Sequence, residues 1–240
     1  MRRIVWCIAR GYLIGIFRVC GADSIPRRGA LLICANHCSS ADPPLIPALV
    51  PRGDTWSMAK SEYFEGSRRL RWLMRAYHAF PIVRHSPDRA ALRRGSAVLA
   101  AGGTLIVYPE GTRVEVGGLI RPEAGAGFIA RHSHAPVVAV GLVGTRECFP
   151  KGSRFPRRVP VEVRFGSPFT IAERRPDGSR ITNQEAADAV MLQIAHLLPA
   201  SMRGEFADLE GWSERLLGVV REASQQIPVG PDPPSGAGGA

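Results

Sequence analysis

The sequence predicts an α/β domain, a layered mixed β-sheet flanked by helices. Three observations point there. Short, continuous apolar runs recur at residues 31–34, 55–59, 80–83, 104–108, 136–142 and 161–165, as expected of strands covered on both faces. Helical stretches sit between them, which is the alternation of a layered α/β domain. Hydrophobic residues make up 45% of the 240, enough to bury a sizeable core and to exclude a wholly disordered chain.

Residues 1–20 read as an N-terminal amphipathic helix. Arg3, Arg10 and Arg18 are spaced by seven and eight, within one broad arc, while Trp6, Ile8, Tyr12, Leu13, Ile16 and Phe17 cover much of the rest. Such a helix either lies among lipid headgroups or packs on the core with a charged edge; amphipathicity alone does not separate the two. It does not read as a signal peptide, because Arg10 interrupts the apolar stretch and no small-residue cleavage pattern follows. Nor does it read as a membrane span: the uncharged run over 11–17 is seven residues, against the roughly 20 that a bilayer core requires.

Further along, residues 88–101 carry apolar residues at helical spacing and stop at Gly102-Gly103. Residues 123–132 predict another helix. Thr182 followed by Glu185 is a capping box, opening a helix that stops before Pro199. Residues 206–221 read as one further helix, and 222–240, rich in Pro, Gly, Ser and Ala, as a disordered tail. The expected organisation is thus the helix at 1–20, a folded α/β domain at 21–221 and the tail at 222–240.

Lys and Arg total 31 against 21 Asp and Glu, a formal net charge of +10. Only Lys60 and Lys151 are lysines; the rest are arginines, whose planar fork suits phosphate. Partners bearing phosphate or other negative charge are favoured, although an Arg-, Ala- and Gly-rich composition also follows from a GC-rich genome. Arg68, Arg69, Arg71 and Arg75, with Arg89, Arg93 and Arg94, read as solvated faces or as contacts for lipid headgroups or other anionic partners. Aromatic residues are 7% and no aromatic-interleaved basic motif is present, so no nucleic-acid partner is expected. Five scattered cysteines (Cys7, Cys20, Cys34, Cys38, Cys148) make no disulfide framework and fit a reducing compartment. Cys34 and Cys38 flank His37, but no second Cys/His pair stands at ligand spacing, so no metal site is expected.

Two segments carry chemistry. In the first, Asn36-His37 follows directly on an apolar strand and Asp42 comes five residues later. That spacing does not share a helix face, and Pro43 biases Asp42 away from helical backbone, so the segment reads as a turn that folds a carboxylate back onto an imidazole. Such a pair acts as a general base, the carboxylate holding one ring nitrogen protonated and leaving the other free. A surface histidine near a helix-capping Asp is the plainer alternative. Neither Ser39 nor Ser40 lies in a nucleophile elbow, and Cys38, adjacent to His37 in sequence, is a poor partner for it. In the second segment, the strand at 104–108 runs straight into Pro109-Glu110-Gly111-Thr112-Arg113, a polar cluster where α/β folds place ligands. Arg113 suits phosphate, Thr112 offers a hydroxyl, Gly111 admits close backbone approach and Glu110 can accept from a substrate hydroxyl. Arg84 ends a third short strand. His132 and His134 read as a helix end or loop.

Together these residues resemble the glycerolipid acyltransferase family, typified by the 1-acylglycerol-3-phosphate acyltransferases. Asn36-His37 and Asp42 match its first motif, Arg84 the end of its second, Pro109 to Arg113 its third, and Ala135-Pro136-Val137-Val138 its fourth, with Gly21, Pro26 and Gly29 as lead-in. The two sharp motifs stand 73 residues apart and in order. The resemblance implies that His37 deprotonates the acceptor hydroxyl and that Asp42 orients it. Arg84 and Arg113 would bind the acceptor phosphate, and Glu110, Gly111 and Thr112 would shape the pocket. It implies acyl-CoA or acyl carrier protein as donor substrate, a lysophospholipid acceptor, no cofactor or metal, and a peripheral or monotopic place on the cytoplasmic face of a membrane. The chain departs from the pattern at His78, where Gly is usual, at Pro122-Glu123, where Phe-Lys is frequent, and at Ala139 in place of Pro. The missing Lys bears on acceptor identity: another lysophospholipid, a glycolipid or a specialised acceptor is the alternative. A basic membrane- or nucleic-acid-binding module without catalysis is the alternative from another class.

Overall fold

The structure is a computed structural model that describes residues 16–83, 88–153 and 155–223. In chain order it contains β1 (Phe17–Cys20), β2 (Leu31–Ala35), α1 (Asp42–Leu49), β3 (Thr55–Lys60), α2 (Glu62–Glu65), α3 (Arg68–Ala76), β4 (Ala79–Ile82), α4 (Arg89–Ala100), β5 (Thr104–Val107), α5 (Ala124–His132) and β6 (Val137–Val143). There follow α6 (Thr145–Cys148), β7 (Val161–Phe165), β8 (Phe169–Ile171), α7 (Asn183–His196), α8 (Leu209–Arg215) and β9 (Val220–Glu222). The six strands and three helices expected from apolar runs and stop signals are all present, within a residue or two at each end.

The strands form one mixed sheet in the order β1-β7-β6-β2-β5-β3-β4, with β8 pairing β6 and β9. Strand β2 lies between β5 and β6, parallel to both, and all five of its residues are buried. Its alternation explains the layering. Leu32 and Cys34 point into the core under α5 and α7, whereas Leu31, Ile33 and Ala35 point into the opposite core with Ile46 of α1 and Val163 of β7. Covered on both faces, a strand cannot alternate apolar with polar. Strands β6 and β7 pair antiparallel, as do β6 and β8, which makes the sheet mixed.

Helix α7 is held by the expected capping box, Thr182 and Glu185 satisfying each other's backbone N–H groups, and the Arg175 guanidinium pairs with Glu185 at 2.8 Å. Nine of its residues are buried, four of them alanines, so α5 can lie close against it. Closest approach falls at Gly127, where an added Cβ would stand 1.9 Å from the Asn183 carbonyl oxygen and 2.5 Å from the Ala187 nitrogen. Gly127→Ala must therefore push two helices apart. A loss of about 1–3 kcal/mol is expected, the usual range for overpacking, read as a lowered urea midpoint with unchanged slope; an unchanged midpoint would contradict this contact.

Four expectations are corrected. Residues 17–20 of the expected N-terminal helix form β1, parallel to β7, with Phe17 packed on the second core; edge-strand pairing overrides the helical arc. Residues 1–15 of that expectation lie outside the described residues. The segment 206–221 is not one helix: Asp208 caps α8 by accepting from Gly211 N–H, α8 ends at Arg215, and the chain returns as β9 beside β8. Glu222, read as tail, is therefore paired in the sheet, and 224–240 lie outside the described residues. Asp42 opens α1 rather than sitting in a turn. Pro43 and Pro44 occupy the first helical turn, where no intrahelical N–H is needed. His78, which stands where the family it resembles usually has Gly, takes φ +51°, the left-handed conformation that Gly adopts freely, and its ring stacks on Trp56 with centroids 4.8 Å apart.

Candidate active site

Strands β2 and β5 end side by side, Cys34 opposite Val107, and the two motifs leave the sheet there. The His37 backbone N–H donates to Glu110 Oε1 at 2.8 Å, across 73 residues of sequence. Asn36 clamps the strand end, its side chain accepting from Leu142 N–H at 2.7 Å and donating to Leu142 O at 3.0 Å. Beyond it, Val114 N–H donates to His37 O at 2.8 Å. The histidine's backbone is thus fixed on both sides before its ring makes any contact.

The ring is fixed as well. His37 Nδ1 lies 2.9 Å from Asp42 Oδ2, and that same oxygen accepts from Cys38 N–H at 2.8 Å and Ser39 N–H at 2.7 Å. Asp42 is fully buried at the first residue of α1, where the helix dipole favours a negative charge. Two backbone N–H groups already end on Oδ2, so that oxygen meets the ring as an acceptor. That assigns the proton to Nδ1 and leaves the Nε2 lone pair free; Nε2 makes no hydrogen bond to any described residue. The imidazole also stacks on Tyr108, centroids 4.4 Å apart.

Glu110 is nearly wholly buried. Burial pushes its carboxyl up to about 7 from an ordinary 4.5, although N–H bonds from His37 and Ile120 pull the other way; the charge of Asp42 adds to the rise and Arg146 opposes it. Glu110 faces inward and holds the His37 loop through the His37 N–H. The cavity it lines with Asn36, Cys38 and Arg146 is about 10 Å³, the limit for a single water. Gly111 turns at φ +66°, and a Cβ there would meet Glu123 Cγ at 2.8 Å. Arg113 folds back over the loop, Nη1 donating to Ser40 Oγ at 2.8 Å with Glu115 at 3.7 Å from Nη2. The structure thus brings together His37, Asp42, Glu110, Gly111 and Arg113, with Thr112 between the last two. Arg84 lies outside the described residues.

The other nucleophiles are occupied. Ser39 Oγ donates to Phe149 O at 3.0 Å. Burial pushes the Cys38 thiol up to about 12, with Asp42 and Glu110 adding to the rise, so a thiolate is disfavoured near neutrality.

One residue escaped the sequence reading. Arg146 Nη2 donates to Val114 O at 3.0 Å, bracing the residue whose N–H holds His37 O. A signal for it exists in the sequence: Gly144-Thr145-Arg146 repeats Gly111-Thr112-Arg113. The two tripeptides follow β6 and β5, the two neighbours of β2, and both glycines have positive φ, +79° and +66°.

Known proteins resemble this chain in sequence and in fold. The family model described as Acyltransferase matches residues 16–143. A 1-acyl-sn-glycerol-3-phosphate acyltransferase of Cocos nucifera is 34% identical over 143 residues, 58% of this chain and 46% of that protein. The enzyme of that name from Bacillus subtilis (strain 168) is 25% identical over 146 residues, 58% of this chain and 70% of its own. The crystal structure of the 1-acyl-sn-glycerophosphate acyltransferase PlsC from Thermotoga maritima superposes with a TM-score of 0.61 at 24% identity, over 82% of this chain and 78% of that one, a likeness in fold. The chain spans about half the length of the plant relatives it matches. With the family model covering more than half of its residues, this chain belongs to the acyltransferase family.

Proposed function

We propose that this chain is an O-acyltransferase that moves a fatty acyl group from a thioester, acyl-CoA or acyl carrier protein, to the free hydroxyl of 1-acylglycerol-3-phosphate. The observation that carries the reading is the His37–Asp42 pair, with Nδ1 tied to the carboxylate and Nε2 free, beside the Arg113 guanidinium. Nε2 takes the proton from the acceptor hydroxyl as its oxygen attacks the thioester carbonyl. The tetrahedral adduct collapses, the C–S bond breaks, and the thiolate leaves with the proton returned from the imidazolium. Asp42 stabilises that imidazolium. Arg113 binds the acceptor phosphate and sets the hydroxyl near the thioester, which is a proximity contribution; Arg84 shares that role, and Gly111 and Thr112 line the approach. The reaction draws on side chains and substrates alone, with no cofactor. It takes place at a membrane surface on the cytoplasmic side, where the acceptor resides; no helix among the described residues is long and apolar enough to cross a bilayer.

A second reading concerns the acceptor. Glu123 packs beside Gly111, placing an acid next to the motif that faces the acceptor phosphate, which favours a less anionic acceptor such as a glycolipid. Thiol release with an acceptor panel, products identified by mass, separates the two. The proposal expects 1-acylglycerol-3-phosphate to react at least about tenfold faster than its phosphate-free counterpart, one charge-assisted contact being worth roughly that much. Equal rates would remove Arg113 as a phosphate clamp, and a preferred glycolipid would establish the second reading.

Arg146 enters as a positioning residue. Arg146→Met is expected to lower turnover about 10- to 100-fold, the cost of a small displacement of His37, with the acceptor KM little changed. A rise in KM at constant turnover would instead make Arg146 a binding residue.

A further inference from the structure

Helix α3 and its flanks form a surface that nothing in the reaction uses. The helix reads Arg-Arg-Leu-Arg-Trp-Leu-Met-Arg-Ala, with four arginines, no acid and no fully buried residue. It lies at the edge of the sheet, touching α2 and β4. Trp72 is 60% exposed and Leu73 37%, unusual values for large apolar side chains on an ordered helix. Arg68, Arg69 and Arg75 stand four residues before, three before and three after Trp72, so they surround its indole on one face. None of the three has an ion-pair partner among the described residues. Strands β3 and β4 run parallel to β5, so the residues just past their carboxyl ends emerge at the end of the sheet that holds His37. Two of these, Tyr63 and Val83, are 45% and 51% exposed, which adds exposed apolar side chains at that end of the sheet.

We infer that α3 is a membrane-docking element, which seats the indole of Trp72 at the headgroup level of an anionic bilayer while Arg68, Arg69 and Arg75 pair with lipid phosphates. Charge complementarity selects this occupant. An exposed indole ringed by guanidiniums matches the amphipathic boundary of a bilayer, where Trp concentrates and Arg extends along its aliphatic stem to the phosphates. A nine-residue helix with nothing fully buried gains little from its own contacts, and a lipid surface would cover what the sheet does not. Docked there, the motif-bearing end of the sheet lies close to the headgroup layer. The orientation rests on the lipid-acceptor reading, but the binding does not.

The test is partition of the full chain onto sedimenting vesicles of phosphatidylglycerol and phosphatidylcholine in equal parts, against phosphatidylcholine alone. Wild type should prefer the anionic vesicles and release with salt. The triple variant Arg68→Gln, Arg69→Gln, Arg75→Gln should lose roughly fivefold in partition per guanidinium, and Trp72→Ser roughly tenfold. Both should keep the wild-type thermal midpoint, since the altered side chains are exposed. Turnover of a detergent-dispersed acceptor should be unchanged in both, so a failure of this docking is distinguishable from a failure of the acyl-transfer reading. Wild-type partition in both variants would overturn the inference, as would equal partition onto neutral vesicles. Lost binding of acidic carrier protein or single-stranded nucleic acid with vesicle partition intact would overturn it too, by assigning the surface to that partner.

Discussion

Asp42→Asn is expected to cut turnover by about a thousandfold, within the range set by loss of a base's correct tautomer and its charge partner. The carboxylate oxygen of Asp42 receives the His37 Nδ1–H and the N–H groups of Cys38 and Ser39. An amide can offer its own oxygen to the same three donors, so the loop should keep its shape. It cannot offer the negative charge that stabilises the imidazolium. If the amide turns over, its NH2 faces the ring and forces the proton onto Nε2, which removes the base. The fall should appear in turnover with little change in acceptor KM, because Asp42 is buried behind His37 and cannot reach the acceptor. A full-rate Asp42→Asn enzyme would show that the pair is structural.

Glu110→Gln should change stability in a pH-dependent way. With the folded carboxyl raised to about 7, the sign follows from proton counts. Below about pH 4.5 the group is neutral in both states and contributes no difference. As pH rises from there to about 7, the unfolded chain releases its proton while the folded chain keeps it, so the folded state loses ground. The full loss is about 3 kcal/mol. Gln does not titrate, so the stability of Glu110→Gln relative to wild type should climb by up to that amount across the window. Denaturant unfolding of both proteins at several pH values reads it directly. Parallel stability curves would contradict the burial of an ionisable Glu110.

The parts of this architecture set by local chemistry were legible in the sequence. Strands buried on both faces read as unbroken apolar runs, and the capping box at Thr182 announced α7. His37 and Asp42 were legible as a pair because the strand before them fixed where the turn must begin. The role of Glu110 was not, because its partner is a backbone N–H 73 residues away, and a backbone donor leaves no trace in residue identity. Asp42 was read as turn because Pro43 disfavours helical backbone before it, yet a proline in a first turn outweighs that bias. Segment 17–20 became a strand through pairing with β7, a long-range choice that residue periodicity does not carry. Arg146 could have been found, since its Gly-Thr-Arg repeats the motif that had already been singled out, at the end of the other neighbour of β2.

The central claim is that His37 takes the proton from the acceptor hydroxyl. Its most direct test is acceptor-dependent thiol release by wild type and His37→Gln, with acyl-CoA and acyl carrier protein supplied in parallel as donors and the acylated product identified by mass. Gln keeps the backbone bonds to Glu110 and Val114 and can still approach Asp42, but it cannot accept a proton. The account predicts acceptor-dependent release and phosphatidate product from wild type, and release at background from the variant with its fold intact by circular dichroism. Product formation by His37→Gln at the wild-type rate would contradict it.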